Sequence, residues 1–413
     1  MRVTHLHRWP AEPAPARSAG PAVPSSELLS AALELALEWA REPRAVVLSG
    51  SHAAGDAVWA EFQGRPVSLS DVDLYVLLDD DAACRAARSR RRPALRGLAR
   101  RCLAFGLAAP LEAGFLTAAG FARLPARPGT LELARHGRVI RGDARALELV
   151  PRCRPADVSA EEILLLLENR GCELLWCRPR LTSPDRLERL KGRHSVLKCA
   201  LDLAGVSSLL GGEYPDGAAA RVAWARRNRA APRDAPERAE AEELDRLWES
   251  GLSWRGGEVT AREPAEAAEA EEEWSATVRG WARAWRAAGA RIAPEAPAEP
   301  IARVVALARR ARLRRRVHEA LTPDAADGPG RWPLLARAAG GTLRHRVHAS
   351  ATLLLHAVGG GSGRALPPGA SAALERLGVV PRAACADWED ARRAVVLAWD
   401  RWLLDGQRSA EPA

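Results

Sequence analysis

The sequence predicts an α+β protein: a small β-sheet with flanking helices in the first 150 residues, then a mainly helical remainder. Two observations carry this. Apolar runs of strand length stand at 45–49, 71–78 and 108–117, each bounded by turn residues. From Ser159 onward the runs lengthen, carry caps and repeat at helical spacing, as in Trp274, Trp281 and Trp285.

The elements follow in chain order. Residues 1–24 are rich in Pro and Ala, lack a continuous apolar core and read as a disordered tail. Residues 25–41 have helical periodicity behind a Ser N-cap. A strand at 45–49 leads into a helix over about 51–62, with Gln63-Gly64-Arg65-Pro66 as an insertion before the next strand. The strand 71–78 ends at Asp79-Asp80-Asp81, which suits a turn and an N-cap. Residues 82–105 form an arginine-rich helix with a break near Pro93. The third strand, 108–117, carries one acid, Glu112; a helix over 129–136 precedes Val139-Ile140-Arg141-Gly142-Asp143, with Asp143 in a turn. Helices are expected at 163–176, containing Glu168-Asn169-Arg170, and at 187–204, containing Lys191, Arg193, His194, Lys198 and Asp202. Gly211-Gly212-Glu213-Tyr214-Pro215 reads as a turn. Residues 229–273 are rich in Ala, Pro, Glu and Arg and read as containing a flexible connection. Helices at 274–322 and 332–358, a glycine loop at 359–363 and a final helix at 387–404 complete the chain.

A length of 413 residues leaves room for two or three domains, and 47% apolar content supports real cores. The expected division is a tail at 1–24, a sheet-containing domain at 25–150, a helical bundle at 151–290 and a helical C-terminal region at 291–413. No apolar run reaches the roughly 20 residues needed to span a bilayer, so no membrane partner is expected. Cys84, Cys102, Cys153, Cys172, Cys177, Cys199 and Cys385 are odd in number and form no Cys-x-x-Cys, which reads as reduced thiols in a cytoplasmic protein.

The net charge of +9 is carried almost entirely by arginine, since Lys191 and Lys198 are the only lysines. A bias this broad weakens any argument from basic patches. The run Arg88-Ser89-Arg90-Arg91-Arg92 reads as a solvated helix end rather than a phosphate contact, and nucleic acid is not indicated as a partner. Arg309-Arg310 and Arg314-Arg315-Arg316 carry the same discount, and chance explains the spacing of Arg312 and His318. His5, His7, His345 and His348 lack carboxylate or thiol companions at ligand spacing. The Trp stripe reads as core.

The stretch richest in chemistry is Gly50-Ser51 after the apolar run 45–48, followed by Ser70-Asp71-Val72-Asp73-Leu74. Two carboxylates one residue apart in a strand point the same way. Held that close they repel unless a cation lies between them, and Mg²⁺ with a nucleoside triphosphate is the usual occupant of such a site. A glycine and a serine at a strand end permit close backbone approach and a hydroxyl contact to phosphate.

In these residues the chain resembles the nucleotidyltransferase superfamily with a polymerase-beta-like catalytic fold. That family places a Gly-Ser at the end of a strand and Asp-x-Asp on the next; here the two read Leu48-Ser49-Gly50-Ser51 and Asp71-Val72-Asp73. The match covers about residues 40–145. The longer loop between the halves departs from the family's short form, as does Ala54, where many members carry a basic residue.

The resemblance implies a small mixed sheet followed by a helical bundle, as in aminoglycoside-type nucleotidyltransferases. It implies Mg²⁺ on Asp71 and Asp73, phosphates on Gly50 and Ser51, and transfer of a nucleoside monophosphate, with ATP the expected donor, to a hydroxyl of a small molecule or protein. A third acid on a neighbouring strand completes the family's site, and Glu112 holds that place by order, with Asp143 as the runner-up; the other reading of Glu112 is an edge-strand glutamate facing water. Lys198 is expected either at the triphosphate or in an i,i+4 surface pair with Asp202. The alternatives to transfer onto a small molecule or protein are template-independent addition to RNA ends and a non-catalytic, antitoxin-like binding role.

Overall fold

The computed structural model describes residues 25–95, 97–232, 234–257, 267–297, 299–308, 343–358 and 365–403. The chain is α+β, a small mixed sheet followed by a mostly helical region. Four strands form the sheet: β1 Ala45–Ser49, β4 Val72–Leu78, β5 Leu111–Thr117 and β6 Arg138–Gly142, in the order β5-β4-β1-β6. β1 runs antiparallel to both β4 and β6, and β4 runs parallel to β5.

Period-two alternation sorts the strand residues onto two faces. Val46, Leu48, Val72, Leu74, Val76, Leu111, Ala113 and Phe115 pack against helices α1 (Ser25–Trp39), α3 (Asp81–Ala94) and α4 (Leu98–Ala104). Ala45, Val47 and Leu77 face the other way, onto Phe121, Leu133 and Ala146. Three members of the expected solvated arginine run are used internally instead. Arg88 and Arg91 donate to the carbonyls of Phe115 and Ala113 on edge strand β5, and Arg90 donates to that of Trp39. Half-buried carbonyls need donors, and a long guanidinium reaches them from the helix surface.

Between β1 and β4 the structure departs from the expected helix over 51–62. The helix α2, Gly50–Ala54, ends at Gly55, whose φ of 73° is left-handed. A hairpin follows, β2 Trp59–Phe62 and β3 Arg65–Ser68, joined through Gln63 and Gly64 at φ 52° and 73°. Positive φ at both central positions is the geometry of a two-residue hairpin turn. What reads as an insertion is this hairpin, and its Val58, Ala60 and Val67 pack on Leu187, Leu190, Leu197 and Trp254 of the helical region.

The helical region is built on α7 Ala160–Leu181, α8 Arg186–Leu210, α10 Ala235–Arg255 and α11 Ala267–Ile292, with α9 Ala218–Asn228 beside α8. Later helices include α12 Pro300–Ala308, α13 Leu343–Val358, α14 Pro368–Leu377 and α15 Trp388–Leu403. Trp274, Trp281 and Trp285 are fully buried on α11. Two of these indoles donate to carbonyls of α7, Trp274 to Leu174 and Trp281 to Leu167, so the stripe serves as core and ties the helices together. Within the expected connection at 229–273, residues 235–255 are instead helical. Asp234 caps that helix at the Glu237 N–H, with Pro236 in its first turn. Ala- and Glu-rich composition suits a capped helix as well as a linker.

A second grip joins the two regions away from the hairpin. From α6, Pro128–His136, Glu132 pairs with Arg221 at 2.6 Å and His136 with Asp216 at 2.7 Å. All seven cysteines are free. His348 is buried with Nδ1 3.2 Å from Glu168 Oε2, so it does have a carboxylate companion, brought from 180 residues away. Among the described residues no helix is long and apolar enough to cross a membrane. The expected tail at 1–24, His5, His7, the arginine clusters at 309–316, His318, the helical spans 309–322 and 332–342 and the glycine loop at 359–363 lie outside the described residues.

Candidate active site

The strand register assembles the site. Across β1 and β4, Ser49 stands opposite Asp73, and across β4 and β5, Asp73 stands opposite Glu112. In-register residues on adjacent strands project to the same face, so Glu112 shares the face of Asp73. Strand β5 is also the edge of this sheet, so the edge position and the shared face are both observed.

Gly50 begins where β1 ends, at a φ of 69°. A Cβ there would collide with the Asp73 carboxylate. Conformation and space therefore both demand glycine, and Gly50 lies directly against Asp73. Asp71 sits in the loop before β4, which α2 braces. His52 Nε2 lies 3.0 Å from Ser68 Oγ and 3.3 Å from the Ser70 carbonyl oxygen, and Ser70 Oγ accepts from the Val58 N–H. The sequence reading assigned nothing to this His-Ser brace; the His two residues after Gly50 and the Ser-x-Ser before Asp71 were the available signal.

Charge is unbalanced here. Burial, then Glu112, then Asp71 push the Asp73 carboxyl up to about 8, against weaker opposition from Lys198 and Arg170. Lys198 comes from α8 in the helical region. Its Nζ lies 2.8 Å from Asp71 Oδ2, both side chains being about one-fifth exposed. Burial acts most strongly and lowers the lysine, but Asp71 and Glu173 together raise it above its ordinary value, so the ammonium is held charged. The expected surface pair with Asp202 does not form. Asp202 Oδ2 is instead taken by Arg170 Nε at 2.6 Å, and Arg170 also pairs with Glu173 at 2.8 Å. The longer reach of Lys198 carries it off its own helix, a contact that helix spacing does not reveal.

His194 stands one turn before Lys198 on the same helix. It is 8% exposed, and burial followed by Lys198 brings its pKa down to about 3, so it is neutral. Its Nδ1 accepts from Trp254 Nε1 at 3.3 Å.

Among the described residues no group of three or more His, Cys, Asp or Glu stands ready to hold a metal by itself. The donor set nevertheless fits a hard divalent cation completed by phosphate oxygens. Asp71 and Asp73 both offer carboxylate oxygens, and the Asp73 carboxyl, raised first by burial and then by Glu112 and Asp71, stands among acids whose charge a cation would offset. Compared with known proteins, the chain matches no family model and no curated sequence.

Proposed function

We propose that this protein is a Mg²⁺-dependent nucleotidyltransferase that moves a nucleoside monophosphate, with ATP as donor, onto a hydroxyl of a small molecule or protein. The observation that carries this reading is the convergence of Gly50-Ser51, Asp71, Asp73 and Glu112 at one end of one sheet face, with Gly50 pressed against the Asp73 carboxylate.

Each residue has a separable task. Asp71 and Asp73 would hold Mg²⁺, which when bound supplies positive charge to the phosphates and to the leaving pyrophosphate. Gly50 admits a phosphate close to the backbone, and Ser51 adds a hydroxyl. Glu112 accepts the proton of the acceptor hydroxyl as its oxygen attacks the α-phosphorus and the bond to pyrophosphate breaks. Lys198 holds Asp71 at 2.8 Å. As a flexible cation beside the site, it is positioned to exchange that carboxylate for a phosphate oxygen.

The test is incubation of the full chain with Mg²⁺ and ATP labelled at the α-phosphate, followed by a search for label on small acceptors, on the protein and on RNA. Label on a small molecule or on protein, lost with EDTA and in the Asp71→Asn/Asp73→Asn double variant, supports the reading. Undiminished transfer by that folded double variant would sink it, and label confined to RNA ends would replace the acceptor class.

A further inference from the structure

Beside Asp71 lies a cavity of about 250 Å³ that the tasks above leave unused. Its walls break the chain's compositional habit. Of 61 lysines and arginines only Lys191 and Lys198 are lysines, and both line this cavity. They stand seven residues apart on α8 with Ser195, another wall residue, between them, so one helix face carries both. At 1.5 Å per residue that spacing sets them about 10 Å apart along the axis. Arginine is the default cation here and its abundance carries no signal. A lysine brings a compact ammonium on a flexible stem instead of a planar fork.

The two lysines meet different surroundings. Lys198 is answered by Asp71 at 2.8 Å, and Asp71 in turn has Asp73 and Glu112 near it. Lys191 Nζ lies 2.9 Å from Glu188 Oε1, but the other oxygen of that carboxylate lies 2.8 Å from Arg180 Nε. One acid thus serves two cations, and the Lys191 side chain keeps 21% of its surface exposed. Arg100, on α4, also lines the cavity; it is exposed and forms no ion pair among the described residues. Lys191 and Arg100 are therefore the cations left to receive a ligand.

Between the charged groups the walls are apolar, with Leu98, Leu103 and Pro110 from the sheet-containing region and Trp176 from α7. A cavity of this size suits a small molecule with a hydrocarbon body. The wall also includes Leu111, the residue before Glu112, whereas Gly50 and Ser51 are not part of it. In the sheet order β5-β4-β1-β6, the strand that leads to Gly50 lies on the opposite side of β4 from β5. The cavity therefore flanks Asp71 on the side of the proposed base, away from the proposed phosphate contacts.

We propose that this cavity is the acceptor site and that the acceptor is a small hydroxylated acid, with an anionic group at one end of an apolar body and a hydroxyl at the other. The anionic group, a carboxylate or a phosphate, pairs with Lys191 and Arg100, and the hydroxyl lies at the Asp71 end. There its oxygen bonds to the α-phosphorus of ATP, its proton passes to Glu112 and the leaving electron pair goes to pyrophosphate. A polycationic acceptor meets like charge at Lys191 and Arg100. This rests on the nucleotidyl-transfer reading and adds the acceptor's chemical class.

Saturation-transfer NMR on the full chain, without nucleotide, compares phloretate, gluconate and glycerol phosphate with the neutral amide of phloretate, with tyramine and with one aminoglycoside. The proteins are wild type, Lys191→Met, Lys191→Arg and Arg100→Glu, and calorimetry with Mg²⁺–ATP runs in parallel. At least one of the three anions is expected to bind saturably, more tightly than the amide or either cation, and to lose at least tenfold affinity in Lys191→Met and in Arg100→Glu. Lys191→Arg, which keeps the charge, retains part of the binding, and Mg²⁺–ATP affinity stays within twofold throughout. Arg100 is exposed, so its variant covers a poorly folded Lys191→Met. A carboxylate ahead of glycerol phosphate, or the reverse, supports the proposal and names the anion. No saturable binding by any anion, equal or tighter binding of the amide, tyramine or the aminoglycoside, or anion binding indifferent to both charge changes would each overturn it. So would weakened Mg²⁺–ATP binding with unchanged anion binding in Lys191→Met, which would give this cation to the triphosphate. Anion binding that depends on Lys191 in a protein that does not bind Mg²⁺–ATP would overturn the transfer reading, and with it the acceptor role, but not the class of ligand.

Discussion

Two acidic clusters sit within one side chain of each other, and they are built on opposite principles. On α7 and α8, Arg170 reaches Glu173 at 2.8 Å and Asp202 at 2.6 Å. Burial alone would raise Asp202, yet Arg170 and Lys198 bring it below the ordinary carboxylate range. At the sheet, Asp73 faces Glu112 and Asp71, and its carboxyl rises to about 8. Both are aspartates removed from water; what differs is the sign of their nearest neighbours. A cluster that serves the fold closes its own charge, because an unmatched buried charge is expensive. One that leaves an excess needs something from outside, and that contrast, more than the count of acids, separates a candidate site from a structural network.

The largest effect that could break this comparison is on activity. Asp73→Asn should lower Mg²⁺-dependent transfer by roughly 10³-fold while the protein stays folded, since a cation ligand is lost and a repulsive charge with it. Circular dichroism alongside the labelled-ATP assay checks both halves; an unfolded variant would mean that Asp73 belongs to the structural class. Arg170→Met should do the reverse. It takes the guanidinium away from Glu173, which is 3% exposed, and should cost about 3 kcal/mol of stability in a urea titration. A cost below about 1 kcal/mol would show that this network is not what holds α7 to α8.

Gly50→Val joins the clusters' logic to the backbone. Left-handed φ costs a non-glycine residue about 1–3 kcal/mol, and the new side chain must displace the Asp73 carboxylate. The expectation is weaker Mg²⁺–ATP binding by calorimetry in a protein that melts a few degrees lower; unchanged affinity would put the nucleotide elsewhere.

A further effect is a pH trend in metal-free buffer. The folded-state pKa of Asp73, about 8, lies above its ordinary 3.8. Its contribution to stability is therefore complete below about pH 3.8 and is lost as pH rises through 8. An asparagine side chain cannot ionise, so the melting temperature of Asp73→Asn relative to wild type should climb between about pH 4 and about pH 9. Added Mg²⁺ should close the gap by stabilising the wild type alone. A flat difference across that range would show that the carboxylates at the sheet are already balanced. Asp71→Asn should not show the gain, because it leaves Lys198 without its partner at 2.8 Å.

Much of the fold was legible in the chain. The sheet strands at 45–49 and 71–78 read directly, because apolar runs between turn residues report burial locally. So did the break near Pro93, the Ser159 and Asp80 caps and the core role of the Trp stripe. The hairpin at 59–68 was readable in principle from Gln63-Gly64 between alternating residues, but a helix pattern extended past Gly55 concealed it. At 235–255 composition left the helix unread, since a capped Ala- and Glu-rich helix shares its residue types with a linker.

By itself the sequence determined the spacing of Asp71 and Asp73, the glycine before Ser51 and the order in which Glu112 follows, since spacing and chain order are local properties. Only tertiary structure decided the rest. Register placed Glu112 beside Asp73. Docking of α8 gave Lys198 to Asp71 rather than to Asp202, and Trp254, 60 residues away, set the tautomer of His194. Each of these is a contact between side chains distant in sequence, chosen by which charges and donors burial leaves to be matched, and no local pattern of residues encodes that choice.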